Sequence, residues 1–122
     1  MKTIIVTASD QAWQDAQATG EYTQSTITST LKDVDFIHAT FPDQTIDMVN
    51  RHFTNRDDVI LLFVDANEVK APIKYEKALS GRPGTFPHIY GPLSVDAVYD
   101  TVKLEKDNKS KFIAPNNLKE TA

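Results

Sequence analysis

The sequence predicts a mixed α+β domain with two main helices and five or six strands, and three observations predict it. The β-branched run TIIVT, residues 3–7, leads directly into a capped helical stretch. The run VILLFVDA, residues 59–66, is apolar on both faces, as a central strand covered on both sides must be. The segments after it alternate over short spans broken by Gly and Pro, which suits hairpins rather than βαβ units.

Element by element, Thr3–Thr7 is the first strand. Ser9 is placed to cap a helix, with Asp10 in its first turn near the positive end of the dipole. Ala12, Trp13 and Ala16 form its apolar stripe, Trp13 anchors it in the core, and Gly20 stops it. Residues 21–34 are rich in Thr and Ser without clear periodicity and read as a loop, with a short turn near Thr28–Leu31. Phe36–Thr40 is a short strand. Thr40 then opens a second helix through a T-x-x-D capping pattern with Asp43, and Pro42 is tolerated in the first turn. Ile46, Val49 and Phe53 make its buried stripe, Asp47 and Arg51 an exposed i,i+4 pair, and His52 lies on its boundary beside Met48.

Residues 55–58 form a turn into the central strand. Ile73–Lys77 is a further strand, and the loop at 78–85 carries Gly81, Pro83 and Gly84 as breakers. The strand FPHIY, residues 86–90, ends at Gly91-Pro92, after which Ser94 caps a single helical turn. Val98–Glu105 alternates as a half-buried strand. Residues 1–105 therefore read as one globular domain. Residues 106–122 read as a polar, flexible tail in which Phe112, Ile113 and Leu118 are the side chains able to dock.

Composition narrows the function classes. The 122 residues suit one domain, and 40% hydrophobic residues supply material for a core. Seventeen acidic residues stand against 13 basic ones, a net charge of −4, with no basic block of the kind that drives phosphate-backbone binding. The absence of cysteine excludes disulfides, thiolate metal sites and cysteine nucleophiles. No secretory pattern or membrane-length apolar run is evident, so the reading is a soluble, cytoplasmic protein with no membrane partner. No glycine-rich phosphate loop and no GxSxG elbow occur.

Two segments carry the chemistry. In DFIHAT, residues 35–40, alternation puts Phe36, His38 and Thr40 on one face. In FPHIY it puts Phe86, His88 and Tyr90 on one face. Each offers an aromatic ring, an imidazole and a hydroxyl. Imidazole titrates nearest neutrality and can donate and accept at once, which suits ribose hydroxyls or proton transfer. Pro87 and Pro92 stiffen the backbone around His88 and Tyr90, and Arg82 in the preceding loop can meet a phosphate or carboxylate. His38 and His88 are the candidate catalytic groups; Thr40, Arg82 and Tyr90 are the candidate cofactor contacts. A strand histidine is equally a satisfied core residue, so a structural reading of both stands beside the functional one. Two imidazoles without carboxylates at ligand spacing define no metal site.

The blocks FIHAT, NRHF, RDDVILLFVD and FPHIYGPLSVDAV, in that order, resemble the small bacterial proteins grouped as Domain of Unknown Function 952, and the likeness runs from about Ile4 to Val102. Asp35 stands where that family usually has glycine, and the Thr-rich loop at 22–34 is longer than its pattern. The resemblance implies an ADP-ribosyltransferase-like fold, a split mixed/antiparallel α+β arrangement with a cleft for NAD. It implies NAD or an ADP-ribose-type nucleotide as the small-molecule partner, and glycosyl transfer from NAD as the activity. Set against the pattern of such transferases, the resemblance implies His38 near their second-strand position and His88 or Tyr90 near their late position. No glutamate lies in FPHIYGPLS, and Glu76 lies outside a matching motif. The alternative is a non-catalytic ligand- or partner-binding module with structural histidines.

Overall fold

The computed structural model describes residues 2–78, 81 and 83–121, with side chains described as far as residue 118. Two three-stranded antiparallel sheets frame the molecule. The first holds β1 (Thr3–Ser9), β6 (Val59–Asp65) and β10 (Val98–Lys103) in the order β1-β6-β10. The second holds β5 (Ile37–His38), β7 (Ile73–Lys77) and β8 (Thr85–Ile89) in the order β5-β8-β7. The sheets meet where Ile5 and Thr40 exchange both backbone hydrogen bonds, each 2.8 Å long.

The central strand β6 behaves as its composition demands. Ile60, Leu62 and Val64 enter one core cluster with Ile4, Val6, Ile37 and Ile89. Val59, Leu61 and Phe63 enter a second cluster with Ile5 and Val49. Both faces are therefore dry, and removal of apolar surface from water is the main favourable term.

Helix α1 (Asp10–Thr19) begins as expected: the Ser9 hydroxyl accepts from the Ala12 N–H, and Gly20 closes the helix at φ 90° in the left-handed region. Helix α3 (Pro42–His52) starts one residue later than the T-x-x-D pattern suggests. The Thr40 N–H is already committed to Ile5, so it cannot take part in a capping box. Phe41 occupies the cap, and the Gln44 carboxamide accepts from its N–H at 2.9 Å. The same T-x-x-D motif is used one helix earlier. In α2 (Leu31–Val34), Thr30 and Asp33 cap each other reciprocally.

The 21–34 segment is not a plain loop. It contains β2 (Glu21–Tyr22), β3 (Gln24–Thr26), β4 (Ser29–Thr30) and α2. β2 pairs with β9 (Leu93–Ser94), burying Tyr22 and Leu93, while β3 and β4 form a small hairpin. Asp35 ends α2 at φ 79°, the left-handed conformation that glycine adopts without steric cost.

The residues after β10 fold back onto the second cluster. Phe112 and Leu118 are buried there, Ile113 is exposed, and α4 (Asn116–Thr121) ends the described chain. Asn50 on α3 grips this segment like a peptide group: its carboxamide donates to the Phe112 carbonyl at 3.2 Å and accepts from the Phe112 N–H at 2.7 Å. Among the described residues the fold is thus α+β, with four helices and several antiparallel sheets. No described helix is long and apolar enough to cross a membrane.

Candidate functional site

The register of the second sheet builds the site. β5 and β8 pair Ile37 with Ile89 and His38 with His88. Residues directly opposite in an antiparallel pair project to the same face, and the next residues along project to the other. Ile37 and Ile89 therefore go into the core, each 0% exposed, and both imidazoles go to the opposite face. β7 pairs Lys74 with His88 and Glu76 with Phe86, which adds Lys74 and Glu76 to the histidine face.

The two imidazole rings lie edge to face with centroids 5.3 Å apart. Phe36 stacks on His88 at 4.1 Å and also contacts the rings of His38 and Tyr90 at 4.8 and 5.2 Å. The Ser25 hydroxyl donates to the Phe36 carbonyl and ties this aromatic wall to β3. Gly91 positions the far end. At φ 155° it packs so close to Ala71 that an added Cβ would lie 2.8 Å from the alanine Cβ, and the neighbouring Tyr90 N–H donates to Pro72.

Glu76 joins two of these groups. One carboxylate oxygen, Oε1, lies 2.9 Å from His88 Nδ1 and accepts from the Tyr90 hydroxyl at 2.6 Å. Both bonds favour the ionised carboxylate: the Tyr90 hydroxyl first, then His88, hold Glu76 below the usual carboxylate range. The same bond to Glu76 pushes the Tyr90 hydroxyl up. The Lys74 ammonium sits 4.6 Å from the Tyr90 ring centroid.

The structure separates the two histidines by access. His38 is half-buried and lines a cleft of about 550 Å³. His88 is 1% exposed and, like Tyr90, lies outside the cleft lining, so neither reaches a ligand held there. Burial, and then the neighbouring His88, hold the His38 pKa below the ordinary imidazole value, so His38 is neutral at physiological pH and keeps a basic nitrogen.

Three buried side-chain polar atoms lack a partner among the described residues: Thr7 Oγ1, Tyr22 Oη and His88 Nε2. Thr7 lines the cleft and His88 lies directly behind His38. An unsatisfied buried polar group costs about 1–3 kcal/mol, so this corner of the fold carries a stability penalty that the hydrocarbon core does not.

The cleft opens where β1 and β5 part beyond the Ile5–Thr40 bridge. Ile5, Thr7 and Thr40 line one side, Met48 and His52 of α3 with the capping Phe53 another, and Thr26, Ile27 and Thr28 a third. Thr40 stands in this lining. Its hydroxyl lies 2.8 Å from that of Thr45, and Thr45 donates to the Phe41 carbonyl. Thr40 is consequently the donor of that pair, and its lone pairs remain as acceptors for a ligand. Arg82 lies outside the described residues. Arg56 also lines the cleft, with its guanidinium bonded to both Asp58 oxygens at 2.8 and 2.7 Å. No group of three or more His, Asp or Glu side chains among the described residues is arranged to hold a metal.

The sequence nominates His38, His88 and Tyr90, the structure sets them side by side, and the sequence does not point to Glu76 as the group that joins His88 and Tyr90. Glu76 matches no motif, although its strand alternates into register with FPHIY. His52, read as a boundary residue, is exposed and lines the cleft. The Met48-to-His52 spacing of one helical turn was the available signal for an α3 wall.

Comparison with known proteins bears on the family and the fold. The family described as protein of unknown function (DUF952) matches residues 7–101. The crystal structure of CC0527 from Caulobacter crescentus is 25% identical, covers 97% of this chain and 99% of its own, and superposes with a TM-score of 0.82. The solution structure of CC0527 gives 27% identity, 91% coverage of both chains and a TM-score of 0.74. No curated protein matches. With most of its length matched in one block, this chain belongs to the DUF952 family of proteins of unknown function.

Proposed function

We propose that the cleft beside His38 binds a nucleotide of the NAD or ADP-ribose type, with His38 as its polar anchor. The observation that carries this reading is the division of labour between the imidazoles: His38 opens into about 550 Å³ of cleft while His88 is sealed behind it. Ligand sites for small organic molecules fall in roughly the 300–1,000 Å³ range and combine apolar walls with a few polar groups. Ile5, Ile27 and Phe86 supply apolar wall for a base, and Thr26, Thr28 and Thr40 supply hydroxyls for ribose diols. A neutral imidazole can donate and accept toward the same diol. The ADP-ribosyltransferase resemblance nominates NAD, and the cleft chemistry is compatible with it.

Binding is better supported than turnover. An oxocarbenium-like transition state calls for a carboxylate beside the reacting sugar. Glu76 is outside the cleft lining, and its Oε1 is engaged by His88 and Tyr90. Within this reading His38 is the group for proton transfer to or from a ligand, and His88 acts through it. A second reading, a binding module without catalysis and with His88 structural, is favoured by that burial and by the Phe36 stack.

Calorimetric titration with NAD and with ADP-ribose tests the proposal. The expected result is measurable heat for at least one of them, lost in His38→Ala and weakened in Thr40→Ala. At about 100 times the dissociation constant the ligand should add roughly 2.7 kcal/mol of stability. No heat from either nucleotide with folded protein would refute nucleotide binding. Release of nicotinamide from NAD would reject the module without catalysis.

A further inference from the structure

We propose that Glu76 is a positioning residue of this site, which fixes His88 as its Nδ1–H tautomer and so keeps Nε2 as a buried hydrogen-bond acceptor beside His38. The proposal rests on reading the cleft as a ligand site and adds a residue to it that no motif assigns.

The geometry leaves little freedom. A carboxylate has no proton to give, so the 2.9 Å contact between Glu76 Oε1 and His88 Nδ1 requires the hydrogen on Nδ1. A neutral imidazole carries one N–H, and Nε2 is then a bare lone pair. That lone pair is buried with no partner among the described residues. The ring cannot easily turn away from this arrangement. Phe36 stacks on it at 4.1 Å, and it is 1% exposed. Other groups around the carboxylate help keep it in place: Tyr90 donates to the same oxygen at 2.6 Å, and Lys74 lies over the Tyr90 ring. Asp35 also faces Tyr90 and opposes loss of its proton.

An acceptor held unsatisfied next to a cleft-facing imidazole has a use. When a ligand group X–H gives its proton to His38, the His38 ring becomes an imidazolium with two N–H donors. One donor faces X⁻, and the ring lies beside His88, centroids 5.3 Å apart, where a small shift of either ring would bring the second donor to the unpartnered Nε2. If that proton passes on, His88 carries the charge, Glu76 neutralises it, and His38 is again neutral. No bond other than N–H and X–H changes.

Long-range proton–nitrogen NMR of the uniformly ¹⁵N-labelled full chain reads the tautomer directly. The wild type should give His88 the Nδ1–H pattern. Glu76→Gln should lose that pattern while the chain stays folded, because a carboxamide can present either an oxygen or an N–H to Nδ1. Tyr90→Phe, which leaves the carboxylate in place, should retain it. An Nε2–H pattern in the wild type, or an unchanged pattern in folded Glu76→Gln, would overturn the proposal. The wild-type spectrum alone can overturn it, so the test survives a Glu76→Gln chain that does not fold. ADP-ribose affinity measured on the same samples should fall about tenfold or more in Glu76→Gln. A wild type with the Nδ1–H pattern, lost in Glu76→Gln, that binds no ADP-ribose would support the role of Glu76 while removing the nucleotide reading.

Discussion

The two three-stranded sheets use the same alternation for opposite ends. In β1-β6-β10 the central strand buries hydrocarbon on both faces. In β5-β8-β7 one face gives Ile37 and Ile89 to the core, and the other gathers Phe36, His38, His88 and Glu76. The first sheet fills both faces of β6 with hydrocarbon, and its buried unpaired polar atom, the Thr7 hydroxyl on β1, lies at the cleft. The second must satisfy imidazoles with specific partners, and it leaves His88 Nε2 without one. The hydrocarbon of β6 carries stability, and the unsatisfied Thr7 and His88 atoms collect around the cleft, where departures from local consistency are expected at a functional site.

Mutations should break along that division. Leu62→Ala, at the fully buried middle of β6, should lower unfolding free energy by about 2–5 kcal/mol in a denaturant titration, with nucleotide binding intact at low temperature. Asn50→Ala removes both bonds that hold Phe112 against the second cluster, on the other face of β6, and should cost about 1–3 kcal/mol, with the C-terminal amides losing exchange protection first. His38→Ala should invert the pattern. Its stability loss should stay within about 1 kcal/mol, because the side chain is only partly buried, while ligand heat disappears.

The histidine sheet should also be the more pH-sensitive of the two. His38 resists protonation in the folded chain, while the unfolded chain takes up that proton near pH 6.5. Its contribution is complete above that pH and falls away as pH drops from about 6.5 through the lowered folded value. Glu76 acts at lower pH: its stabilisation is present above the ordinary carboxylate range and is lost as pH falls through its lowered folded value. Denaturation curves from pH 7 to 5 should flatten in His38→Gln relative to the wild type. The smallest effect expected is from Asp35→Gly. It relieves a φ of 79° at the entry to β5 and adds freedom to the unfolded chain, for a net gain below about 1 kcal/mol.

Local signals made the first sheet legible. Ser9 and Gly20 bracket α1 because capping chemistry is local, and β6 declares itself by composition. The shared aromatic–imidazole–hydroxyl pattern of the two histidine segments was legible too, but their direct pairing, His38 opposite His88, comes from the sheet register. What was not legible depends on distant partners. Thr40 looks like an N-cap until Ile5 claims its N–H, whereas the same motif at Thr30 has no such competitor and caps as written. The 21–34 segment carries little periodicity of its own, and its strands form by pairing with Leu93–Ser94 and within a tight hairpin. Glu76 gains its role from a strand register. The cleft walls come from β1, β3, β5 and α3, which no stretch of sequence places side by side.

A crystal of the protein soaked with ADP-ribose tests the central claim most directly. The account predicts ligand between the Thr40 side of the cleft and α3, with a polar atom within hydrogen-bonding distance of a His38 ring nitrogen and His88 still bonded to Glu76. Ligand bound elsewhere at saturation, with the His38 cleft empty, would contradict it.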